Sequence, residues 1–349
     1  MERTRKIVVA VTVVTLVLSL DGCTLRRDIQ NPAVGFLTAD AGVGYVREMT
    51  AGFAVAVAES GGVRHTETGP PIGDTALQMS MLQELHGQAR NGIAVFTWTP
   101  ELLAGTMADT EQTGTPVIAV HTPPAPGSEV TLYVGNDNFT MGEMLAEQIA
   151  ALLPPASDGL VVLGTSVPGA EALDQRIAGL RSRLPLVRPK VRLLGPFDTK
   201  QDPAANMKSW ELLVEANPGA LAFVGTGDSD ARNLARLRGQ ATRSWVGAGF
   251  GLDDISVRAV QRGGYALVSP ETFVQGAVAG HLQAGYAKRS LTLPSGWIAT
   301  PALPITRSNA SKILARQSST KSRAEAAQLV VREIVTHLGD HLRPLADAR

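Results

Sequence analysis

The sequence predicts an α/β protein of two doubly wound parallel-sheet lobes. Short, nearly continuous apolar runs alternate with amphipathic helix-like stretches along most of the chain, which is the pattern of parallel strands covered on both faces. The alternation falls into two successive series, and 349 residues exceed what one comfortable core holds.

The first series reads "AVGFLT" then a helix over 43–60, "IAVFTWT" then a helix over 100–112, "PVIAVHT", and "VTLYVGN" then a helix over 139–153. The second reads "GLVVLGT" then 169–184, "VRLLGPF" then 203–216, "ALAFVGTG" then 229–238, "SWVGAGFG" then 253–262, and "YALVSPE" then 272–287. Thr99 before Pro100 and Asp202 before Pro203 have the form of an N-cap followed by proline at the first helical position. Near the end, Ala326, Leu329, Val330, Ile334 and Leu338 fall at helical spacing, so an amphipathic C-terminal helix is expected to pack on the second domain. In doubly wound sheets ligands bind outside the carboxyl ends of strands, so the informative residues are those just after each run.

The N-terminus carries "MERTRK" and then an uncharged, largely apolar stretch from Ile7 to Leu20. Those 14 residues rise only about 21 Å as a helix, short of a bilayer core, which points to a secretory segment over a spanning one. Leu20, Asp21, Gly22 and Cys23 resemble a bacterial lipobox, with Asp21 departing from the usual residue. Residues 1–22 are read as a signal peptide, 23–30 as a tether, and Cys23 as either a lipidation site or an incidental cysteine after an ordinary signal. A single cysteine excludes an internal disulfide and a thiolate metal site. A formal net charge of +0 argues against a nucleic-acid partner.

The ordered segments resemble the type I periplasmic binding proteins of ABC importers, in the ribose-binding, sugar-binding branch. "YVGNDNFTMGEMLAEQIAALL" is similar to that family's crossing between domains, with Asp137 and Asn138 at the Asp-Asn pair. "VVLGTSVPGAEALDQRIAGLRSRL" is similar to its next strand, loop and helix, with Arg176 three residues before Gly179. "ELLVEANPGALAFVGTGDSDA", "WVGAGFGLDDISVRAVQRGGYALVSPETFVQGAVAG" and "IATPALPITRSN" continue the match. The resemblance implies two Rossmann-like lobes joined by three crossings and closing on a ligand. Carried onto this chain it gives a first lobe of 31–135 plus 271–297, a second of 136–270 plus 298–320, and a helical extension over 321–349.

Sugar sites pair aromatic faces with hydrogen-bonding groups. Tyr45 falls where the family has an aromatic after the first strand, as either a ligand contact or a core tyrosine, and Trp98 is either pocket rim or packing. Arg176 offers a fork for two oxygens, or else a surface salt bridge. The family's Asp-Arg after the fourth run is His121 and Thr122 here. Its Asp after the glycine-rich run is replaced by "GAGFG" with Gly249, and its glutamine at the last crossing is replaced near Pro270. His121 either bonds a ligand or caps the strand end. Lys200, Gln201, Asp228 and Glu271 complete the candidates because they follow strand ends or sit at crossings, and Asp137 and Asn138 are expected as hinge residues. His337 and His341 lie four apart but Gly339 interrupts them, so no metal site is expected, nor any cofactor.

The resemblance implies a monomeric, non-enzymatic, extracytoplasmic solute-binding protein, held at the cell membrane by lipid on Cys23. It would take a sugar, polyol or sugar-like molecule and pass it to an ABC permease. Two alternatives remain at this point: a sensing lipoprotein that docks on a membrane receptor, and an extracytoplasmic hydrolase.

Overall fold

The computed structural model describes residues 31–348. The first series comprises β1 (Ala33–Leu37), α1 (Gly44–Ser60), β2 (Arg64–Thr68), α2 (Thr75–Gln88), β3 (Ile93–Val95), α3 (Pro100–Gln112), β4 (Val117–Val120) and β5 (Leu132–Asn136). The second comprises α4 (Asn138–Leu152), β6 (Gly159–Thr165), α5 (Glu171–Val187), β7 (Val191–Asp198), α6 (Pro203–Ala216), β8 (Ala222–Gly225), α7 (Asp228–Gln240), β9 (Val246–Phe250), α8 (Asp254–Arg262) and β10 (Tyr265–Ser269). The remainder is α9 (Thr272–Ala287), β11 (Gly296–Thr300), β12 (Leu303–Ile305), α10 (Ala310–Arg316), α11 (Thr320–Thr336), α12 (Leu338–His341) and β13 (Leu342–Arg343).

Two sheets result, of order β13-β11-β5-β4-β3-β1-β2 and β12-β10-β9-β8-β6-β7. Both are parallel apart from one antiparallel edge strand each, β13 and β12. Period-two alternation loads both faces: in β1, Val34 and Phe36 join one apolar layer and Leu37 the other; in β6, Val161 and Leu163 oppose Val162 in the same way. Each sheet is therefore buried on both sides. That is why its strands read as continuous apolar runs.

Two helix pairs pack backbone to backbone through glycine. A Cβ on Gly52 would lie 2.1 Å from Phe273 O, and one on Gly276 1.8 Å from Met49 O, so α1 and α9 touch where neither has a side chain. Gly142 and Gly179 do the same for α4 and α5, at 2.2 Å from Arg176 O and 2.0 Å from Phe139 O. Asp202 caps α6 as expected, accepting from Ala204 N and Ala205 N. Thr99 stands at the head of α3, but its hydroxyl pairs with Thr75 Oγ1 at 2.9 Å instead.

The chain crosses between lobes around Asp137, Pro270 and Pro301, and again after Arg316. The third return comes a little later than expected, because β11 stays in the first sheet through Thr300. The fourth crossing corrects the reading of the tail. α11 does not pack on the second lobe: Ala327, Val331 and Ile334 enter the first-lobe core against α1 and α9. The buried stripe is thus Ala327, Val331 and Ile334, whereas Leu329 stays 76% exposed. β13 then completes the first sheet by pairing with β11.

Candidate functional site

Three first-lobe residues after strand or loop ends come together as an aromatic wall. Tyr45 lies in the first turn of α1, Trp98 follows β3, and His121 follows β4. Trp98 Nε1 donates to Tyr45 Oη at 2.9 Å. The His121 ring lies 5.5 Å from the Tyr45 ring and 5.4 Å from the Phe96 ring, tilted to the first and edge-on to the second. His121 has φ 69°, in the left-handed region, and Tyr133 Oη donates to its carbonyl at 3.0 Å. Burial raises the pKa of Tyr45.

The tautomer of His121 follows from its neighbour. Gln275 Nε2 donates to Asn136 Oδ1 at 2.6 Å and to Pro270 O at 3.0 Å, so Gln275 Oε1, 2.9 Å from His121 Nδ1, accepts. Burial, reinforced by the charge of Arg176, pushes the His121 pKa down to about 4. The ring is therefore neutral near pH 7, and Nε2 carries an acceptor lone pair.

The second lobe answers with Arg176 from α5. It is 5% exposed. Nε donates to Asn138 Oδ1 at 2.9 Å, Nη1 donates to Thr226 O at 2.8 Å, and the guanidinium carbon sits 4.7 Å above the Phe250 ring. Burial lowers its pKa to about 10, which leaves it charged at neutral pH. Its two bonded acceptors are both neutral, so an oxygen-bearing guest meets a cation whose charge is not already cancelled in direct contact.

Asp228 opens α7. Arg232 lies one turn on, with Nη2 3.5 Å from Asp228 Oδ2 and Nε 3.8 Å from Asp253 Oδ1. Burial and the nearby charge of Asp253 push the Asp228 pKa up to about 6 against the opposing pull of Arg232. A cavity of about 260 Å³ opens beside these groups, lined among others by Tyr45 and Glu48 of α1, by Asp228, Arg232 and Asp253, and by Arg323 of α11.

Asp137 and Asn138, expected as hinge residues, both lie at the first crossing, between β5 and α4. Asp137 caps α4 through Thr140 N at 2.9 Å and accepts from Arg343 Nη1 at 2.9 Å. Asn138 orients Arg176. Sequence reasoning missed the residues that join the crossings to one another: Asn136 Nδ2 donates to Thr300 O at 3.0 Å, while Gln275 ties Asn136 to Pro270 and His121. An amide thus stands five residues after Pro270, but it is fully buried and its bonds go to the protein itself. Thr165 and Thr226, at adjacent strand ends of the second sheet, each bury a hydroxyl with no partner among the described residues; their place after β-runs was the available signal.

Several expectations need correction. Lys200 is exposed and paired with Asp198, and exposed Gln201 uses its backbone oxygen to accept from Ser229 Oγ; neither lines the cavity. Glu271 is held by Arg316 in a two-point ion pair at 2.8 and 2.9 Å and by Ser269 Oγ at 2.8 Å, which makes it a fastening of the second crossing. Thr122 N donates to Val120 O at 2.8 Å in the turn after β4; Thr122, like Trp98, His121 and Arg176, is not among the residues that line this cavity. Gly249 lies inside β9 against Ala231, and the strand-end residue that lines the cavity is Gly251. Cys23 lies outside the described residues. Among those described, no group of three or more His, Cys, Asp or Glu is placed to hold a metal, and no helix is long and apolar enough to cross a membrane.

A family model described as a periplasmic binding protein domain matches residues 34–289. The chain belongs to that family. A periplasmic binding protein captures a solute and performs no covalent chemistry on it. No curated protein matches the chain. Solved structures do: an ABC transporter solute-binding protein from Burkholderia graminis C4D1M in complex with D-arabinose has 20% identity and a TM-score of 0.72, covering 80% of this chain and 97% of that one. A periplasmic solute-binding protein of an ABC transporter from Actinobacillus succinogenes 130z with bound D-allose has 16% identity and a TM-score of 0.72, covering 80% and 99%. A periplasmic ribose ABC transporter protein from Conexibacter woesei DSM 14684 has 18% identity and a TM-score of 0.70, covering 82% and 96%. At these identities the likeness is one of fold, and this periplasmic binding protein shares the type I architecture of two α/β lobes.

Proposed function

We propose that this chain is an extracytoplasmic solute-binding protein that captures a sugar, polyol or similar small polar molecule between its lobes and delivers it to an ABC importer. The observation that carries the reading is the pairing of an aromatic wall on one lobe (Tyr45, Trp98, His121) with a desolvated arginine, Arg176, on the other. A sugar has apolar ring faces and polar edges, and these two surfaces match them. The ligands bound in two of the similar structures, D-arabinose and D-allose, support the same class.

The mechanism is a population shift. A guest that touches both lobes favours the closed form by its differential affinity, and the permease reads that form. Arg176 and Asp228 hold oxygens from the second lobe, His121 Nε2 accepts from a ligand hydroxyl, Tyr45 lends a ring face, and Asp137 and Asn138 take up the hinge motion. The protein works as a monomer without a cofactor. Lipid on Cys23 keeps it beside the membrane; Cys23→Ala is expected to release it into the soluble extracytoplasmic fraction.

Thermal-shift screening against D-arabinose, D-allose, D-ribose, polyols and nucleosides tests the reading. At least one sugar or polyol is expected to raise the melting temperature, and Arg176→Ala is expected to weaken its binding by about 10- to 100-fold. A chain that responds to none of these, or an affinity untouched by the substitution, overturns it.

A further inference from the structure

The family match ends at residue 289, yet a residue far beyond it stands in the cleft wall. α10 packs on α8 in the second lobe and α11 packs on α1 and α9 in the first, so Gln317, Ser318 and Ser319 carry the chain across a fourth time. At that crossing Gln317 Nε2 donates to Glu48 Oε1 at 2.6 Å. Arg323 Nη1 donates to Gln317 O at 3.2 Å and Nη2 to Thr320 Oγ1 at 3.1 Å. These bonds hold the Arg323 side chain where it lines the cavity that Asp228 and Asp253 line from the other lobe.

Two features of Arg323 are unspent. Its Nε is buried and has no hydrogen-bond partner among the described residues. Its guanidinium meets no carboxylate in an ion pair there, and neither does that of Arg47 on the same side, which donates to the Gly42 carbonyl. Glu48 stands with them, and burial pushes its pKa up to about 7 against the pull of Arg323, with Glu271, Arg316 and Asp228 as the other charges around it. Across the cavity the balance reverses: Arg232 is shared between two carboxylates, Asp228 and Asp253. The cavity is therefore positive toward α1 and α11 and negative toward α7.

We propose that Arg323 is a specificity-determining residue, brought into the cleft by the C-terminal extension to bind an oxyanion on the ligand, so that the solute is an acidic sugar. The inference rests on the sugar-binding reading above. A guanidinium fork matches two oxygens of a carboxylate or a phosphate, and the carboxylates of the α7 side accept from the hydroxyls at the other end of such a molecule.

Titration calorimetry with D-glucuronate, D-glucose 6-phosphate, D-glucose and inorganic phosphate tests it, on the wild-type protein and on Arg323→Gln and Arg323→Lys. A charged sugar is expected to bind more tightly than D-glucose. Arg323→Gln is expected to lose at least about tenfold of that affinity while leaving D-glucose unchanged, and Arg323→Lys to fall between. The stronger of the two charged sugars identifies the oxyanion as carboxylate or phosphate. D-glucose binding as well as both charged sugars, or losing as much in Arg323→Gln, overturns the proposal and leaves the sugar reading standing. Inorganic phosphate matching D-glucose 6-phosphate, with both lost in Arg323→Gln, keeps the oxyanion role and removes the sugar. If no probe binds, both fall.

Discussion

His121 is held in a left-handed backbone conformation, half-buried against Tyr45 and Phe96, with Gln275 on its Nδ1. Its folded pKa of about 4 lies below the ordinary histidine value of 6.5, so between those limits the unfolded chain takes up a proton that the folded chain refuses. Stability from this residue is present above pH 6.5 and is lost as pH falls toward 4, by roughly 3 kcal/mol over the whole window. Glu48 has the opposite sign: its folded pKa of about 7 exceeds the ordinary 4.5, so its contribution is fully present below 4.5 and is lost as pH rises through 7. His121→Asn keeps a side chain that tolerates the left-handed region and removes the titration. Its melting temperature, followed by circular dichroism, is expected to fall less than that of the wild type between about pH 6.5 and pH 4.5, and Glu48→Gln is expected to lose less between about pH 5 and pH 8. Variants with wild-type slopes would show that these groups do not titrate as the geometry requires. At this scale Trp98 and His121 stood out because they follow apolar runs, and Tyr45 and Arg176 because of the family resemblance; their contact with a ligand is the proposal tested above. Gln275 was not, since a glutamine within the apolar α9 reads as helix filler until the fold brings Asn136 and His121 to it. Lys200 misled because a strand end fixes where the backbone goes, while Asp198, two residues away, decides where the ammonium goes.

α4 and α5 approach so closely that the residues at their contact must lack a Cβ. On Gly179 a methyl group would sit 2.0 Å from Phe139 O, next to the crossing where Asn138 holds Arg176. Gly179→Ala is therefore expected to cost about 1–3 kcal/mol by forcing the helices apart. It is also expected to weaken ligand binding, since the same shift lengthens the Asn138–Arg176 bond. Gly105, in α3, has nothing within 4 Å of its would-be Cβ, and Gly105→Ala is expected to leave binding unchanged and to stabilise by about 0.4–1 kcal/mol. Urea denaturation of the two variants separates the cases; a Gly179→Ala protein as stable as Gly105→Ala would mean the helices have room to spare. Elements with a strong apolar signal were read with bounds good to a few residues, and α3, α6 and α9 matched at both ends. β2 was missed because "RHTET" is a largely exposed edge strand with no apolar run, and α2 because its buried face is only Gln78, Leu82 and Leu85. The tail helix was recognised but its inward face was not. Spacing alone admits both Leu329 with Val330 and Ala327 with Val331, and only the glycine-narrowed groove between α1 and α9 selects the second.

Neither lobe is a continuous piece of chain. The first sheet needs β1 to β5, then β11, and finally β13 from the far end; the second needs β6 to β10 and then β12. Four crossings join them, and side chains bind the crossings together: Asn136 to Thr300, Gln275 to Asn136 and His121, Glu271 to Arg316, Gln317 to Glu48, and Asp137 to Arg343. Unfolding one lobe therefore releases the strand or helix that the other uses for its own core. The last strand of the first sheet, for example, is tethered only after the chain has passed through α10 of the second lobe. Coupled in this way, the two lobes should unfold as one cooperative unit, even though a pair of separate cores is the usual reason for two transitions. The tryptophans can report on this, because Trp98 and Trp297 lie in the first lobe and Trp210 and Trp245 in the second. In guanidinium chloride, a variant with Trp210→Phe and Trp245→Phe reads the first lobe by fluorescence, and one with Trp297→Phe and Trp98→Phe reads the second. Each variant's fluorescence midpoint is expected to coincide with its own far-ultraviolet circular dichroism midpoint. Truncation after Ser319 removes α11 and β13 and unties Arg343 from Asp137, and it is expected to separate the two signals, the first lobe melting earlier. Separate transitions in the full-length chain would mean that the crossings are slack connections and that closure is not transmitted from one lobe to the other through them.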